Sequence, residues 1–158
     1  MSGHGLASLA LTEKWGMTED PEDEDAMQKA IEAGVEVIIR SQSDGGGWRY
    51  QPTPTAGHDT SVTVMVFIAL ASARQAGIVV PNESIARVVK YLKSAAQKTG
   101  GFNYIPTGSA TNNSIACTGG GAYAAQLAGK RDSEMVKSAL RYLKERSPGI
   151  IDNNFGHY

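Results

Sequence analysis

The sequence predicts an all-α fold of three helical hairpins. Each pairs an inner helix, enclosed by its neighbours, with an outer helix that shows one face to water. Three observations carry this expectation. A block occurs twice, 54 residues apart: Gly46-Gly47-Trp48-Arg49-Tyr50 and Gly100-Gly101-Phe102-Asn103-Tyr104. A fixed spacing of that size means stacked supersecondary units, none of which buries its apolar face alone. Stretches that are apolar on most sides alternate with stretches that are apolar on one side only, as inner and outer layers require. Helix start and stop residues fall between them.

The expected hairpins span about 3–42, 59–98 and 112–146 of a single domain. In the first, Gly5 to Trp15 carries Leu6, Leu9 and Leu11, apolar on most faces. The acidic run Glu19 to Asp25 then leads into Ala26 to Ser41, with Met27, Ile31, Val35 and Ile38 on one side. In the second, Asp59 to Ala76 is almost uniformly apolar, and Asn82 to Lys98 sets Ile85, Val88 and Leu92 against Arg87, Lys90 and Lys93. The third pairs Asn113 to Ala128, small and apolar, with Ser133 to Arg146, where Val136, Leu140 and Leu143 recur at helical spacing. Asp59, Asn82, Asn113 and Ser133 are expected N-caps, and Gly77 and Gly129 stand where helices end.

Composition removes several function classes. With a net charge of -1 at pH 7 over 158 residues, no basic surface argues for nucleic acid. The longest apolar run, Val62 to Ala71, is too short to span a bilayer, and no secretory signal pattern opens the chain. One cysteine, Cys117, excludes an internal disulfide and a cysteine-rich zinc cluster, and leaves the compartment open. Beside Ile115-Ala116 it reads as a small buried hydrophobe.

Physically, the glycines of the repeated block let the chain turn sharply out of an outer helix. The aromatics (Trp48, Phe102) and tyrosines (Tyr50, Tyr104) cover the repeat end, and Gln42 or Gln97 can bond backbone groups left unpaired there. Gln42 to Trp48 fits a Gln-x-x-x-Gly-x-Trp pattern, and Gln97 to Phe102 is a shortened copy. On these residues, with Asp59-Thr60-Ser61-Val62-Thr63, nearly the whole chain resembles the prenyltransferase and squalene oxidase repeat family. That family holds triterpene cyclases, protein prenyltransferase β subunits and bacterial members without an assigned activity. The resemblance implies an α/α toroid, six inner helices ringed by six outer ones around a cavity. Three hairpins are then half a toroid. Phe155-Gly156-His157-Tyr158 resembles Ser2-Gly3-His4-Gly5, three periods of 51 earlier, as if a fourth inner helix began there. The chain is therefore expected to be a piece of a longer one, or to close its ring by self-association as a dimer.

The family's reactions leave signatures, and this chain departs from them. Its cyclases protonate substrate with Asp-x-Asp-Asp, whereas Glu22-Asp23-Glu24-Asp25 follows Pro21 and reads as a solvated helix start, favoured by the helix dipole. Its prenyltransferases bind zinc through Asp-x-Cys and a distant His, and no Asp stands two residues before Cys117. No catalytic residue, metal or cofactor is therefore assigned. Candidate ligand contacts lie where the inner helices start: His4, His58 with Asp59, Asn113 beside Asn112, and His157. Stacking would set these termini on one rim, with free N–H groups facing a ligand. Arg49 reads as a loop salt-bridge donor. The expected function is a non-catalytic repeat module that binds a hydrophobic ligand, a peptide or a partner protein. The alternative is part of an isoprenoid-handling enzyme whose acid or metal residues lie outside this segment.

Overall fold

The computed structural model describes residues 1–54, 57–106 and 113–146. It holds six helices: α1 (Ser2–Trp15), α2 (Pro21–Arg40), α3 (Thr60–Gln75), α4 (Asn82–Ala95), α5 (Ile115–Leu127) and α6 (Glu134–Arg146). No strand occurs among the described residues; isolated antiparallel bridges Ala96–Phe102 and Asn103–Asn113 close the second loop. Asn112, His157 and the Phe155–Tyr158 block lie outside the described residues.

Each helix follows from local chemistry. Asp20 caps α2 by accepting from the Glu22 N–H at 2.9 Å, Pro21 sits first, and Glu22, Asp23 and Glu24 fill the first turn. The acidic run is thus a helix start, where carboxylates complement the dipole. Asp59 Oδ1 caps α3 by accepting from Val62 N at 2.9 Å. Helix α3 ends in paired reversed bonds, Ile78 N to Ala73 O and Gly77 N to Arg74 O, with Gly77 at φ +99°. Helix α5 ends the same way through Gly129 and Lys130.

Two expected caps are corrected. The cap of α5 is Ser114, whose Oγ accepts from Cys117 N at 3.0 Å, while Asn113 stays in the preceding bridge. The loop from Phe102 to the cap is one residue longer than the loop from Trp48 to Asp59, so a strict 54-residue alignment lands one position early. Asn82 is already helical and Pro81 holds the cap place without a side-chain bond.

Helix α3 lies between α1 and α5, and packs on α2 and α4 behind it. That is why ten of its residues are buried while α2 and α6 bury only three each. Small residues set the close approaches. A Cβ on Gly5 of α1 would lie 3.1 Å from the Val66 Cα, and one on Gly34 of α2 would lie 2.9 Å from Ser8 Oγ. Ile31, Ile38, Val66, Phe67, Leu70, Leu92 and Ala124 form one continuous core with Trp48 and Phe102. Burying such side chains is worth about 1.5–3 kcal/mol each.

The repeated block is the junction between hairpins. Ser43 N bonds Gly47 O at 3.0 Å, and 54 residues on Gln97 N bonds Gly101 O at 2.8 Å. Gln97 therefore occupies the place of Ser43, and Gln42 aligns with Ala96, which corrects the pairing of the two glutamines. Gly46 (φ +89°) and Gly100 (φ +94°) need the left-handed region, and a Cβ on either would strike the carbonyl of Arg87 or Ser138 in the next outer helix. The following glycines lie on rings: a Cβ on Gly47 would be 2.8 Å from Tyr91, and one on Gly101 would be 3.1 Å from Tyr142. Trp48 and Phe102, 1% and 0% exposed, are held by their N–H groups, each donating at 3.0 Å to an inner-helix hydroxyl, Thr63 or Thr118.

Candidate functional site

The start of α3 gathers a cluster of buried polar groups. Asp59 is buried; its Oδ1 accepts from Val62 N and from Ser61 Oγ at 2.9 Å, and its Oδ2 is buried without a hydrogen-bond partner. Thr60 Oγ1 donates to the Asn103 carbonyl at 2.6 Å, and Thr60 N donates to the Tyr104 carbonyl at 2.8 Å. A hydroxyl has one proton, so the Tyr91 hydroxyl, 3.0 Å from Thr60 Oγ1, is the donor in that pair. Burial pushes the Tyr91 phenol up to about 12, leaving it a donor at any ordinary pH.

His58 packs edge-on against the Tyr91 ring at 5.0 Å, and its Nδ1 is 3.3 Å from Ser43 Oγ. Burial lowers its pKa below 6.5, and the neighbouring Asp59 carboxylate only partly offsets this. The neutral ring is favoured. The hydroxyls of Tyr50 and Tyr104, equivalent residues of the two repeats, meet at 3.0 Å, and that bond is the first cause raising the Tyr104 phenol.

The structure brings His58 and Asp59 together. It does not bring the other candidates to them. His4 turns toward α2, with Nε2 3.0 Å from the Gly34 carbonyl, and Asn113 sits in the second loop against Gly101. Among the described residues no group of three or more His, Cys, Asp or Glu could hold a metal ion. Arg49 lies along Gly57 and pairs with no carboxylate among the described residues, against the expected salt bridge. Of the motif residues, Gln42 Nε2 donates to Gly46 O and Ser84 O at 3.0 and 3.1 Å, tying the first loop to α4.

Sequence reasoning missed Tyr91, Thr63, Thr118 and Asn103. The threonines carry a signal: each follows its aromatic by one short loop and the first helical turn, at spacings of 15 and 16. Asn103 gives none, because its repeat equivalent Arg49 is exposed whereas Asn103 is fully buried.

A different surface runs along the inner helices. On α3, Ser61 is exposed and Met65, Ile68 and Ser72 are half-buried, one stripe at helical spacing. Leu6 on α1 and Tyr123 on α5, exposed by 52% and 50%, belong to the two helices that flank it. Ser72 Oγ donates to Glu13 Oε1 at 2.8 Å and ties the stripe to α1. Near the far end of α3 a hollow of 420 Å3 is walled by Phe67, Ala71, Ile85 and Leu127, with Arg74 at its edge. No helix of the described residues is long and apolar enough to cross a membrane. No family model matches the chain, and neither a curated protein nor a solved structure matches it.

Proposed function

We propose that the chain is a non-catalytic repeat module, half of an α/α toroid, that binds an apolar ligand or partner along its inner helices. One observation carries the reading: α1, α3 and α5 leave Leu6, Met65, Ile68 and Tyr123 accessible on the inner layer, while the polar groups at the start of α3 serve mainly capping and loop closure and leave only a buried Asp59 Oδ2 unpartnered. Inner-layer apolar surface is expected to be enclosed in a closed ring, and accessible apolar surface marks binding faces. On another side of α3, the hollow it shares with α4 and α5 adds a cation, Arg74, beside apolar walls, which suits a long-chain carboxylate. Half a toroid also needs a neighbour at each end, so the reading includes self-association as a dimer.

The test is titration with a dansyl-labelled long-chain fatty acid. Saturable binding that weakens in Leu6→Glu and Tyr123→Glu, with the thermal midpoint unchanged, supports the module. Absence of saturable binding at high micromolar concentration refutes it. Squalene cyclisation or prenyl transfer above a heat-killed control would refute the non-catalytic part.

A further inference from the structure

Beside α2 runs a groove that belongs neither to the inner stripe nor to the hollow between α3, α4 and α5. Glu32, Val35, Glu36 and Ile39 of α2 form one wall and Ile78, Val79 and Pro81 the other, around 340 Å3. The α2 residues fall in two rows of residues four apart, Glu32–Glu36 and Val35–Ile39, which lie side by side along the helix. The rows run for about 10 Å, the rise of seven helical residues. A carboxylate edge thus borders an apolar floor.

The facing wall is apolar and held in place. Ile78 and Val80 are buried, and Val79 between them is 85% exposed, more than any other large apolar side chain among the described residues. Ile78 N donates to the Ala73 carbonyl at 2.9 Å, and the Pro81 carbonyl accepts from Ser84 N at 3.1 Å. The segment is therefore tied to α3 before it and to α4 after it, so a binder has little to order.

No cation lines the groove. Glu32 accepts from Gln28 at 2.9 Å and Glu36 lies 3.6 Å from Arg40, both in solvent, where such contacts contribute little and exchange readily. Residues 1–44 hold ten carboxylates and three cations, whereas residues 45–146 hold five and twelve. The field of the first hairpin thus draws cations to this part of the molecule.

We infer that the groove docks a cationic amphipathic helix of another protein. Its apolar residues lie over Ile39, Val79 and Pro81, and its lysines or arginines face Glu32 and Glu36. A helix laid along α2 repeats its apolar and charged positions at the same spacing as the two rows, which is why this occupant fits. The same carboxylates repel the long-chain carboxylate proposed for the α3 hollow, so the two sites stand or fall separately.

Fluorescence anisotropy at low salt tests it, with a labelled leucine–lysine peptide of about four helical turns as the probe. The parent should bind it saturably, more weakly as salt rises, and should not bind a leucine–glutamate peptide of the same period. Glu32→Gln/Glu36→Gln should weaken binding at least about tenfold, and Val79→Ser at least about threefold. Glu22→Gln/Glu24→Gln removes the same charge at the start of α2, outside the groove, and should change binding less than about twofold. All five side chains are exposed, and circular dichroism should show each variant folded. The groove variants should leave the dansyl fatty acid titration unchanged. A parent without saturable binding, or equal weakening by the two double variants, overturns the groove as the docking site. A parent that self-associates, and loses that association in Glu32→Gln/Glu36→Gln, overturns the foreign helix and assigns the groove to a second copy of the chain.

Discussion

The first and second junctions share one backbone and differ in how their polar groups are satisfied. In the first, Trp48 Nε1 donates to the Ile38 carbonyl at 2.8 Å, and Gln42 bridges to Ser84 of α4. In the second, Phe102 has no polar atom to offer and Ala96 stands where Gln42 would. Asn103 is buried there with neither side-chain polar atom bonded. The glycine turn and the threonine clamp are therefore what the repeat requires. The indole and the glutamine amide are additions that bind the first junction, although the buried Gln42 Oε1 has no partner there.

The largest expected effect is on the shared part. Trp48→Ala should cost about 4 kcal/mol by chemical denaturation, as truncation of a packed aromatic does. A loss under about 1 kcal/mol would mean the indole is not what fills the space between hairpins one and two. Gly46→Ala should cost about 3 kcal/mol, from a left-handed φ together with collision against the Arg87 carbonyl. Gly77→Ala is the control: it shares the positive φ but meets nothing within 4 Å, so about 1 kcal/mol is expected. Equal losses at the two glycines would show that strain, and not the close approach of α4, sets the cost.

Converting the first junction toward the second separates shape from polarity. Trp48→Phe keeps a ring but removes the donor to Ile38 O. That carbonyl still accepts from Ser41 Oγ at 3.0 Å, so the expected loss is only about 1 kcal/mol beyond the smaller ring's lost contacts.

These contrasts show what was legible in the sequence. The alternation of wholly apolar and one-faced segments located all six helices, because burial on both sides of α3 leaves no polar face to disguise the pattern. The Gly-Gly-aromatic blocks marked the junctions, since left-handed φ and missing Cβ space demand glycine. Registers were less legible. One extra residue in the second loop places the cap at Ser114 and not Asn113, and Gln97 shares a residue type with Gln42 although its backbone plays the part of Ser43. At the candidate site, neighbours in sequence such as His58 and Asp59 stayed together, while His4 parted from them because Gly34 of α2 offers it a carbonyl. Tyr91 was invisible because its role comes from the next hairpin's helix lying under the loop.

Asn103→Leu should sharpen the comparison from the second side. The substitution nearly preserves volume and removes two buried atoms that have no partner, so a gain of about 1 kcal/mol is expected in thermal or urea unfolding. A loss of similar size would show that Asn103 bonds a group in its surroundings.

The smallest effect concerns His58, which belongs to the first junction and is absent from the second. Burial lowers its folded pKa below 6.5, so the folded chain favours the neutral ring. As pH falls through about 6.5 the unfolded chain takes up the proton first, and the fold loses stability. The loss grows until the pH passes the folded pKa and then levels off, while above about pH 7.5 the residue contributes no pH dependence. Carboxylates also weaken the fold in acid, so the informative quantity is the difference between the parent and His58→Gln. Urea unfolding near pH 7.5 and near pH 5.5 should show a shallower acid loss in the variant. An NMR titration of the parent should place the His58 midpoint under 6.5. A midpoint above that value would mean the Asp59 carboxylate, and not burial against Tyr91, dominates the ring, and the variant would then lose stability most in acid.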